Sequence, residues 1–427
     1  MANPSLDDIT SLAKRRGFIF QGSEVYGGLA GTWDYGPLGA QLKRNLENLW
    51  WKTFVEDRDD MHGVDAAILM NPKTWQASGH VDTFTDPLVE CSECKARFRA
   101  DHVDTSKCPT CGKEGTFGEP RQFNMMFKTH VGPVLDEESI SYLRPETAQG
   151  IFTNYKNIVD SLYPDVPFGV AQIGKAFRNE ISPRDFVFRS REFSQMEIEY
   201  FIREENWEEQ FEKWRKAVMS FLEKAGVDTK RVHELEVPKD DLAHYSKRTI
   251  DYEFEYPHGK DELLGLAYRT NFDLGNIERE SGKKMLYRPK DGGEAFIPHV
   301  IEPSFGVERL VMAVLVSAYT EDEQNGEKRI VLKLPEHIAP VKLCVSPLVR
   351  NKPELVEKAR EVYGILKDKY GSVMWDDNGN IGKRYRRQDE IGTPRCVTID
   401  FDTLEDGTVT VRDRDTLEQK RVSVDSI

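Results

Sequence analysis

The first 335 residues alternate between stretches of helical and of strand-like hydrophobic spacing. Pro37–Asp57 begins with proline and has apolar residues every three or four positions, which predicts an amphipathic helix. The apolar run Ala66–Pro72 predicts a short strand that ends at proline. The further predicted elements are a helix entered from Ser141–Phe152, a strand over Phe168–Glu180, a return strand from Arg189, a helix over Glu204–Gly226, a strand over Thr249–Tyr256, and a strand that runs into a helix over His299–Tyr319.

A second, smaller region follows Pro335–Pro340, which we interpret as a linker. Strand-like and helical spacing alternate in this region, as is typical of a small α/β domain. The predicted elements are a strand over Val341–Leu348, a helix over Pro353–Tyr370, and strands over Ser372–Asp377 and Arg395–Phe401. The sequence therefore predicts one domain over residues 1–334 and another over residues 340–427.

The composition is typical of a globular protein, with 39% hydrophobic and 31% charged residues. No signal-peptide core and no apolar run of about 18 residues occurs in the sequence, so we expect no membrane span and a cytoplasmic location. The net charge of −14 argues against broad nucleic-acid binding. Residues 336–427, however, hold 16 Lys and Arg against 17 Asp and Glu. This nearly neutral tail can still present a local basic groove to RNA.

Four of the six cysteines form two CxxC pairs, Cys91 with Cys94 and Cys108 with Cys111. Each pair makes a tight turn that aims two thiolates at one point, and two such turns give the tetrahedral sulfur shell that Zn²⁺ prefers. A shell closed by four thiolates is structural. The sequence therefore predicts a zinc-ribbon insertion over residues 88–118.

Phe177–Phe201 carries nine charged residues among twenty-five. Because side chains alternate between the faces of a strand, Phe193 and Glu197 share one face of the return strand. That face is expected to look into a cavity that also receives Arg178 and Glu180. These two lie beside Gly174 and Ala176, whose small size leaves room above the sheet. The remaining charged residues, for which we expect salt bridges on a solvated face, include Arg191, Glu192 and Glu199.

Three segments resemble, in the right order, the three motifs of the class II aminoacyl-tRNA synthetases. Pro37–Pro72 resembles motif 1, Arg178–Glu197 resembles motif 2, and Ser304–Leu310 resembles motif 3. Within that class, the chain resembles the dimeric glycyl-tRNA synthetases in the segments Tyr26–Gly39, Arg144–Phe152, Arg178–Arg184, Val300–Gly306 and Tyr385–Pro394.

This resemblance implies a mixed α/β (α+β) fold: an antiparallel catalytic sheet flanked by helices, the zinc-ribbon insertion, and a C-terminal α/β anticodon-binding domain. It implies a glycine–tRNA ligase that forms glycyl-adenylate from glycine and ATP and transfers glycine to the 3′ end of tRNA(Gly). Mg²⁺ is expected with the ATP phosphates, and motif 1 implies a homodimer. The reaction needs positioning and neutralisation of phosphate charge rather than a protein nucleophile, which fits a site rich in arginine.

The resemblance also implies roles for individual residues. Arg178 and Arg309 are the expected catalytic residues, and Phe193 and Arg309 are expected to enclose adenine. The residues expected at ATP are Arg178, Asn179, Glu180, Phe188, Arg189, Phe193, Glu262, Leu263, Gly306 and Arg309. The residues expected at glycine are Arg99, Glu146, Phe193, Glu197, Arg269, Glu302 and Ser304. The residues expected at tRNA are Lys383, Arg384, Arg386 and Arg387.

Two alternatives stay open at this point. A class II enzyme for serine, threonine or proline would share the motifs, although Glu302-Pro303-Ser304 and Arg144–Gly150 favour glycine. An accessory protein could keep the fold without the activity, but such paralogues typically lose the motif arginines, which are present here. We find no HIGH, KMSKS, Walker A or GxGxxG sequence, which disfavours class I synthetases, P-loop enzymes and dinucleotide enzymes.

Overall fold

The computed structural model describes residues 4–324 and 326–427. The helices are α1 (Leu6–Arg16), α2 (Pro37–Trp51), α3 (Pro72–Ala77), α4 (His80–Thr83), α5 (Ala148–Leu162), α6 (Trp207–Lys224), α7 (Phe272–Ser281), α8 (Val307–Ala318), α9 (Pro353–Tyr370), α10 (Ile381–Ile391) and α11 (Phe401–Asp406). The strands are β1 (Ile19–Gln21), β2 (Trp33–Tyr35), β3 (Met61–Gly63), β4 (Thr85–Glu90), β5 (Arg97–Arg99), β6 (Arg121–Asn124), β7 (Lys128–His130), β8 (Ile140–Tyr142), β9 (Phe168–Phe177), β10 (Glu192–Ile202), β11 (Val232–Glu236), β12 (Arg248–Tyr256), β13 (Gly259–Thr270), β14 (His299–Gly306), β15 (Tyr319–Gln324), β16 (Glu327–Leu332), β17 (Leu343–Pro347), β18 (Val373–Trp375), β19 (Arg395–Ile399), β20 (Thr408–Asp413) and β21 (Gln419–Ser423).

A seven-stranded sheet, in the order β11-β12-β13-β14-β10-β9-β3, organises the first region. Its pairs are antiparallel except for β3 with β9. One face packs on α2, α6 and α8, and the apolar stripe of α2 is fully buried there at Leu42, Leu46 and Trp50. The other face packs on α5 near Phe152 and otherwise borders a cavity. The predicted antiparallel catalytic sheet flanked by helices is thus confirmed.

The helix predicted over Pro37–Asp57 is confirmed, and it ends in one wide turn at Lys52–Glu56. The prediction of a strand over Ala66–Pro72 is wrong, because this segment forms no strand. The Ala66 carbonyl accepts from the Arg144 side chain at 2.7 Å rather than from a neighbouring strand, and Pro72 begins α3.

The hairpin strands are shorter than predicted. β9 ends at Phe177 rather than at Glu180, and β10 begins at Glu192 rather than at Arg189. The intervening loop, residues 178–191, leaves the ladder after one further backbone bond, from Arg178 N to Arg191 O at 2.9 Å. The directions of the arginine side chains in this loop therefore do not follow the strict alternation of side chains along a strand.

The tail contains a five-stranded sheet in the order β18-β17-β19-β20-β21. β17 runs parallel to β18 and β19, and the remaining pairs are antiparallel. A second core forms where Leu355 and Val362 of α9 meet Val345 and Val397 of the sheet. The α/β pattern expected for the tail is confirmed.

The segment interpreted as a linker is packed rather than solvated. Ile338 and Ala339 are fully buried in the first core. Their carbonyls accept from the Asn45 side chain of α2 at 2.9 and 3.1 Å. Residues 335–340 therefore fasten the tail to the core of the first region.

A charge network with three buried members and one partly exposed member also joins the two regions. Asp389 of α10 accepts two hydrogen bonds from Arg412 at 2.8 and 2.9 Å and one from Arg329 of β16 at 3.1 Å. Arg329 also donates to Asp322 of β15 at 2.7 Å. We call these two acids and two arginines the Asp389 network.

In the part of the chain that the structure describes, no helix is both long enough and apolar enough to cross a membrane.

Candidate active site

A cavity of about 460 Å³ opens over β10, β12, β13 and β14. It brings together most of the residues that the resemblance singled out. The predicted residues that line it are Arg99, Glu146, Arg178, Glu180, Phe188, Arg189, Phe193, Glu197, Glu262, Leu263, Glu302, Ser304, Gly306 and Arg309. Two residues predicted at ATP or glycine, Asn179 and Arg269, are not part of this lining.

One end of the cavity is arginine-rich. The guanidinium of Arg178 lies 5.2 Å from the ring centre of Phe193, and that of Arg309 lies 4.4 Å from the ring centre of Phe188. Arg309 is also ion-paired with Glu262 at 3.0 Å. Guanidinium groups on aromatic faces beside an open cavity are suited to a planar base and to phosphate oxygens.

The other end of the cavity is acidic, and the sheet register creates it. Glu197 of β10 lies opposite Ser304 of β14, so the two side chains share a face. The Glu197 carboxylate accepts from Ser304 Oγ at 2.7 Å and from Thr147 Oγ1 at 2.5 Å. Glu302, two residues before Ser304, points to the same face and accepts from Arg269 at 2.6 Å. Glu197 and Glu302 are thereby fixed on adjacent strands at the cavity wall.

Arg269 is the buried cation behind this acidic end. Its guanidinium makes a bidentate pair with Asp273, with both distances 2.9 Å, and lies 3.8 Å from the ring centre of Tyr245. Four buried carboxyl groups and that of the mostly buried Glu146 lie around it, and we call the five the carboxylate cluster: Glu146, Glu197, Glu199, Asp273 and Glu302.

The carboxylate cluster has more acids than its one arginine can neutralise. Burial raises the pKa of Glu302 to about 8, against the opposing attraction of Arg269. Burial and the nearby Glu146 likewise raise the pKa of Glu197. Burial also opposes ionisation of Glu146, but His80 and Arg269 lower its pKa overall. A cation in the cavity would stabilise the ionised forms of all three acids.

Sequence reasoning missed several residues of this site. His80 Nε2 lies 3.3 Å from Glu146 Oε2, and Ser78 Oγ lies 2.8 Å from His80 Nδ1. Because His80 stands on a four-residue helix far from Glu146 in sequence, no periodicity could reveal the contact. Asp273 was detectable in principle, since it follows Arg269 by four residues at the start of α7.

The room predicted above Gly174 is occupied. The guanidinium of Arg144 packs there, and its Nε donates to the Lys175 carbonyl at 2.6 Å. A Cβ at position 174 would overlap that guanidinium. The glycine therefore admits a buried arginine of the chain itself, which braces β9 against the segment around Ala66.

The salt bridges expected for three charged residues of the hairpin are found for only one. Glu192 pairs with Lys175 at 3.0 Å. The expectation is wrong for Arg191, which donates to the backbone carbonyls of Glu180 and Ala30. It is also wrong for Glu199, whose carboxyl group is fully buried and has no ion pair among the described residues.

The four cysteines converge in the segment between β4 and β6. Their sulfur atoms all lie within 4.8 Å of one another, with Cys91 and Cys111 3.7 Å apart and Cys94 and Cys108 3.6 Å apart. A tetrahedral shell with metal–sulfur bonds of about 2.3 Å has sulfur–sulfur edges of roughly 3.8 Å. The arrangement fits one tetrahedrally coordinated metal ion.

Arg99 links this segment to the cavity. It lies on β5, which pairs with β4 immediately before Cys91. Its guanidinium is held by Asp86 at 2.9 Å and by both oxygens of Asp101 at 3.1 and 2.7 Å. The cysteine segment therefore supplies one wall of the cavity as well as a metal-type site.

The four basic residues predicted to contact tRNA lie on α10 in different environments. Lys383 is exposed. Arg384 is buried and donates to the carbonyls of Pro347, Asp377 and Gly379, which argues against a contact with RNA. Arg386 donates to the Lys328 carbonyl and Glu327, and Arg387 is paired bidentately with Asp376.

Two family profiles match the chain. Residues 127–319 match the class II tRNA synthetase core domain (G, H, P, S and T), and residues 342–427 match the anticodon binding domain. In fold, the chain is similar to the Giardia lamblia prolyl-tRNA synthetase in complex with prolyl-adenylate, with a TM-score of 0.71 and 15% identity. That comparison covers 99% of this chain and 75% of the other.

Curated relatives match over nearly the full length. The glycine–tRNA ligase of Thermobifida fusca is 47% identical over 99% of this chain and 96% of its own. Those of Treponema denticola and Borreliella burgdorferi are 50% and 49% identical, covering 98% and 99% of this chain and 94% and 96% of their own. The resemblance found in the sequence is thus confirmed, and this chain belongs to the glycine–tRNA ligase family of the class II aminoacyl-tRNA synthetases.

Proposed function

We propose that this chain joins glycine to ATP as glycyl-adenylate and then transfers the glycyl group to the 3′ end of tRNA(Gly). The observation that carries the proposal is the division of one cavity into an arginine-rich end and an acid-rich end. A nucleoside triphosphate matches the first end and the ammonium group of an amino acid matches the second. The two substrates would therefore meet with the amino-acid carboxylate beside the α-phosphate.

The arginine-rich end would bind ATP. Phe193 and Arg309 would hold the adenine ring between them, while Arg178 and Arg189 would neutralise charge on the α- and γ-phosphates. The attacking carboxylate of glycine repels the triphosphate until this charge is neutralised, so these arginines act on the barrier itself. Mg²⁺ is expected with the phosphates, mostly on substrate oxygens.

The acid-rich end would bind glycine. Glu146, Glu197 and Glu302 can receive its ammonium group, because each lines the cavity and none is fully paired by a cation. Ser304 completes the wall between them. A pocket walled this closely by polar side chains would exclude larger amino acids by steric overlap, which discriminates better than weak attraction to the smaller one.

The tail, residues 340–427, would bind the anticodon stem of tRNA. The matched anticodon-binding profile supports this role. Of the four predicted contacts, exposed Lys383 is the best placed, whereas buried Arg384 holds α10 in place. Residues 1–334 would form the catalytic domain, and two chains would pair as a homodimer through the motif 1 region.

The four cysteines would hold one Zn²⁺ as a structural cross-link in the insertion of residues 88–118. Such a site needs thiolates, which persist in a reducing compartment such as the cytoplasm. Metal analysis of the purified protein should find about one zinc per chain. Removing it with a chelator should loosen Arg99 and its wall of the cavity, which limited proteolysis between β4 and β6 would detect.

The test of the proposed function is ATP–pyrophosphate exchange with each of several amino acids. Exchange should depend on glycine and should be at least about 100-fold weaker with alanine, serine, threonine or proline. Exchange with one of those amino acids but not with glycine would instead indicate a different class II enzyme. Absence of exchange with every amino acid, while tRNA still binds, would indicate an accessory protein.

A further inference from the structure

Glu199 is a buried acid that the proposed chemistry leaves without a task. It lies on β10 between Glu197 and Phe201, facing the layer that holds the cavity and α5. Its side chain is fully buried, and neither carboxyl oxygen meets a hydrogen-bond donor among the described residues. An ionised carboxylate in such a place would lose its hydration without compensation.

The pairs Glu197–Ser304 and Tyr200–Ile301 place Glu199 of β10 opposite Glu302 of β14, so the two carboxyl groups lie side by side on one face of the sheet. Ionised carboxylates only accept hydrogen bonds, so two of them cannot bond to each other. One proton between them turns the repulsive pair into a donor and an acceptor. The geometry therefore requires that one of the two acids be protonated.

The arrangement of cations decides which of the two acids keeps the proton. Glu302 accepts directly from Arg269 at 2.6 Å, which favours its ionised form. The other two hydrogen bonds of Arg269 go to Asp273, and none of its donors reaches a carboxyl oxygen of Glu199. The charged groups that face Glu199 are Glu302 from β14, Arg269 from β13, Asp273 from α7 and Glu197 from its own strand. Burial and the nearby Glu302 accordingly raise the pKa of Glu199 far above its ordinary value.

We propose that Glu199 is a positioning residue that stays protonated and donates its carboxyl hydrogen to Glu302. Glu302 is thereby fixed between two donors, the Arg269 guanidinium on one side and the Glu199 acid on the other. These two donors, together with the ammonium group once it binds, favour the ionised form of Glu302 over the burial that raises its pKa. The remaining lone pairs of Glu302 face the cavity. The inference rests on the proposed function, because the ligand that Glu302 awaits is the ammonium group of glycine.

This role has a consequence for charge that distinguishes it from simple space filling. Without Glu199, the carboxylate cluster already holds four acids against one buried arginine and one ammonium group, so a fifth ionised acid would only add repulsion at the same place. A neutral donor at position 199 orders Glu302 without adding that charge. The side chain therefore has to be both neutral and able to donate.

Two variants separate these requirements. Glu199→Gln keeps a neutral donor, whereas Glu199→Leu keeps a neutral side chain of similar size without one. The KM for glycine in ATP–pyrophosphate exchange should rise about 10- to 100-fold in the leucine variant and stay within about threefold of wild type in the glutamine variant. The KM for ATP should change little in either variant. Equal KM values for glycine in the two variants would show that Glu199 contributes only packing. A large rise of the KM for glycine in the glutamine variant would show that Glu199 acts as a charged group.

A spectroscopic measurement tests the proton independently of activity. The infrared spectrum of wild type minus that of Glu199→Gln, with ¹³C-labelled glutamate, should show the carbonyl stretch of a protonated carboxylic acid at neutral pH. This band should persist to higher pH than the ordinary range of a glutamate. Its absence would overturn the proposal even if the KM values followed the expected order.

The same measurements separate this inference from the proposed function. If wild type shows no glycine-dependent exchange, the proposed function fails, while the infrared band still reports whether Glu199 is protonated. If exchange is present but the band is absent, the proposed function stands and the assigned role of Glu199 fails.

Discussion

The carboxylate cluster of the cavity and the Asp389 network both bury arginine against acids, but their charges add up differently. In the Asp389 network, two arginines meet two aspartates, and both oxygens of Asp389 are hydrogen-bonded. In the carboxylate cluster, five acids surround Arg269, and Glu199 lacks a donor among the described residues. The first set is complete without a ligand, and the second is not.

This difference separates a structural joint from a binding site. A set of balanced and fully hydrogen-bonded charges stabilises the fold by holding two regions together. A set with excess negative charge destabilises the fold until a cation binds or protons are taken up. The free energy of this set therefore depends on the ligand. Buried charge alone does not distinguish the two, whereas the sum of the charges and the count of unmet hydrogen bonds do.

The strongest test of the comparison removes Glu302. Glu302→Ala should lower glycine-dependent exchange by at least about 100-fold, because it leaves the buried Arg269 partly unpaired and takes away an acceptor for the ammonium group. Exchange kinetics at saturating ATP would measure the effect. Glu208→Ala, at an exposed acid of α6, is the matched control. Normal glycine activation in the Glu302 variant would show that the acidic end of the cavity does not bind glycine.

The second test breaks the balanced set. Asp389→Ala should destabilise the chain by about 3–5 kcal/mol, because it leaves Arg412 and one donor of Arg329 buried without an acceptor. Thermal and urea unfolding would measure the loss, with the exposed Asp368→Ala as control. The specific exchange activity of the folded fraction should be preserved. A stable variant with impaired exchange would mean that the Asp389 network serves the site rather than the fold.

The third test uses pH at Asp251, which lines the cavity on β12. Burial, followed by repulsion from Glu262 and Glu253, raises its pKa from 3.8 to about 7. Between these values the folded chain binds a proton that the unfolded chain has released, so the contribution of Asp251 to stability falls as pH rises. Asp251→Asn should be more stable than wild type by about 1–2 kcal/mol above pH 7, allowing for partial solvent screening.

The pH test is read from melting temperatures at a series of pH values. The difference between Asp251→Asn and wild type should disappear as the pH approaches the ordinary pKa of an aspartate. Asp240→Asn, at an exposed position, should show no such trend. A constant difference across the whole range would mean that the asparagine acts through packing and that Asp251 carries no burial penalty.

The smallest effects are expected on the surface of the tail. Lys383→Ala should raise the KM for tRNA by about two- to fivefold and reduce the salt dependence of binding by one phosphate contact. Lys352→Ala, at another exposed lysine, is the control. Arg384→Ala should instead lower the melting temperature, because three backbone carbonyls lose their donor. A purely tRNA-binding defect in the Arg384 variant would contradict its assignment to the fold.

The sequence predicted the parts of the site that depend on local alternation. Met196 and Ile198 face the core while Glu197 faces the cavity, as the period of two requires. The roles of Glu302 and Arg309 could be predicted only from the resemblance to family motifs, because the hydrophobic spacing around them does not indicate a function.

The sequence did not predict contacts between distant segments. Arg144 fills the space above Gly174 and binds the Ala66 carbonyl, and His80 reaches Glu146 from a short helix. Glu199 looked like one more surface acid in a charged run. These outcomes depend on how separate elements pack, and a local pattern of polar residues is the same whether the strand lies at the edge or, like β10, near the middle of its sheet.

The packed connection at residues 335–340 limits how this molecule can be taken apart. Ile338 and Ala339 are core residues of the catalytic region, and Ile391 of α10 joins the same core. Arg414, near the end of the tail, donates to the Leu334 carbonyl at 2.9 Å. A fragment cut at Pro340 would therefore expose apolar surface and an unmet carbonyl, so exchanging tails between relatives would require replacing these contacts along with the tail.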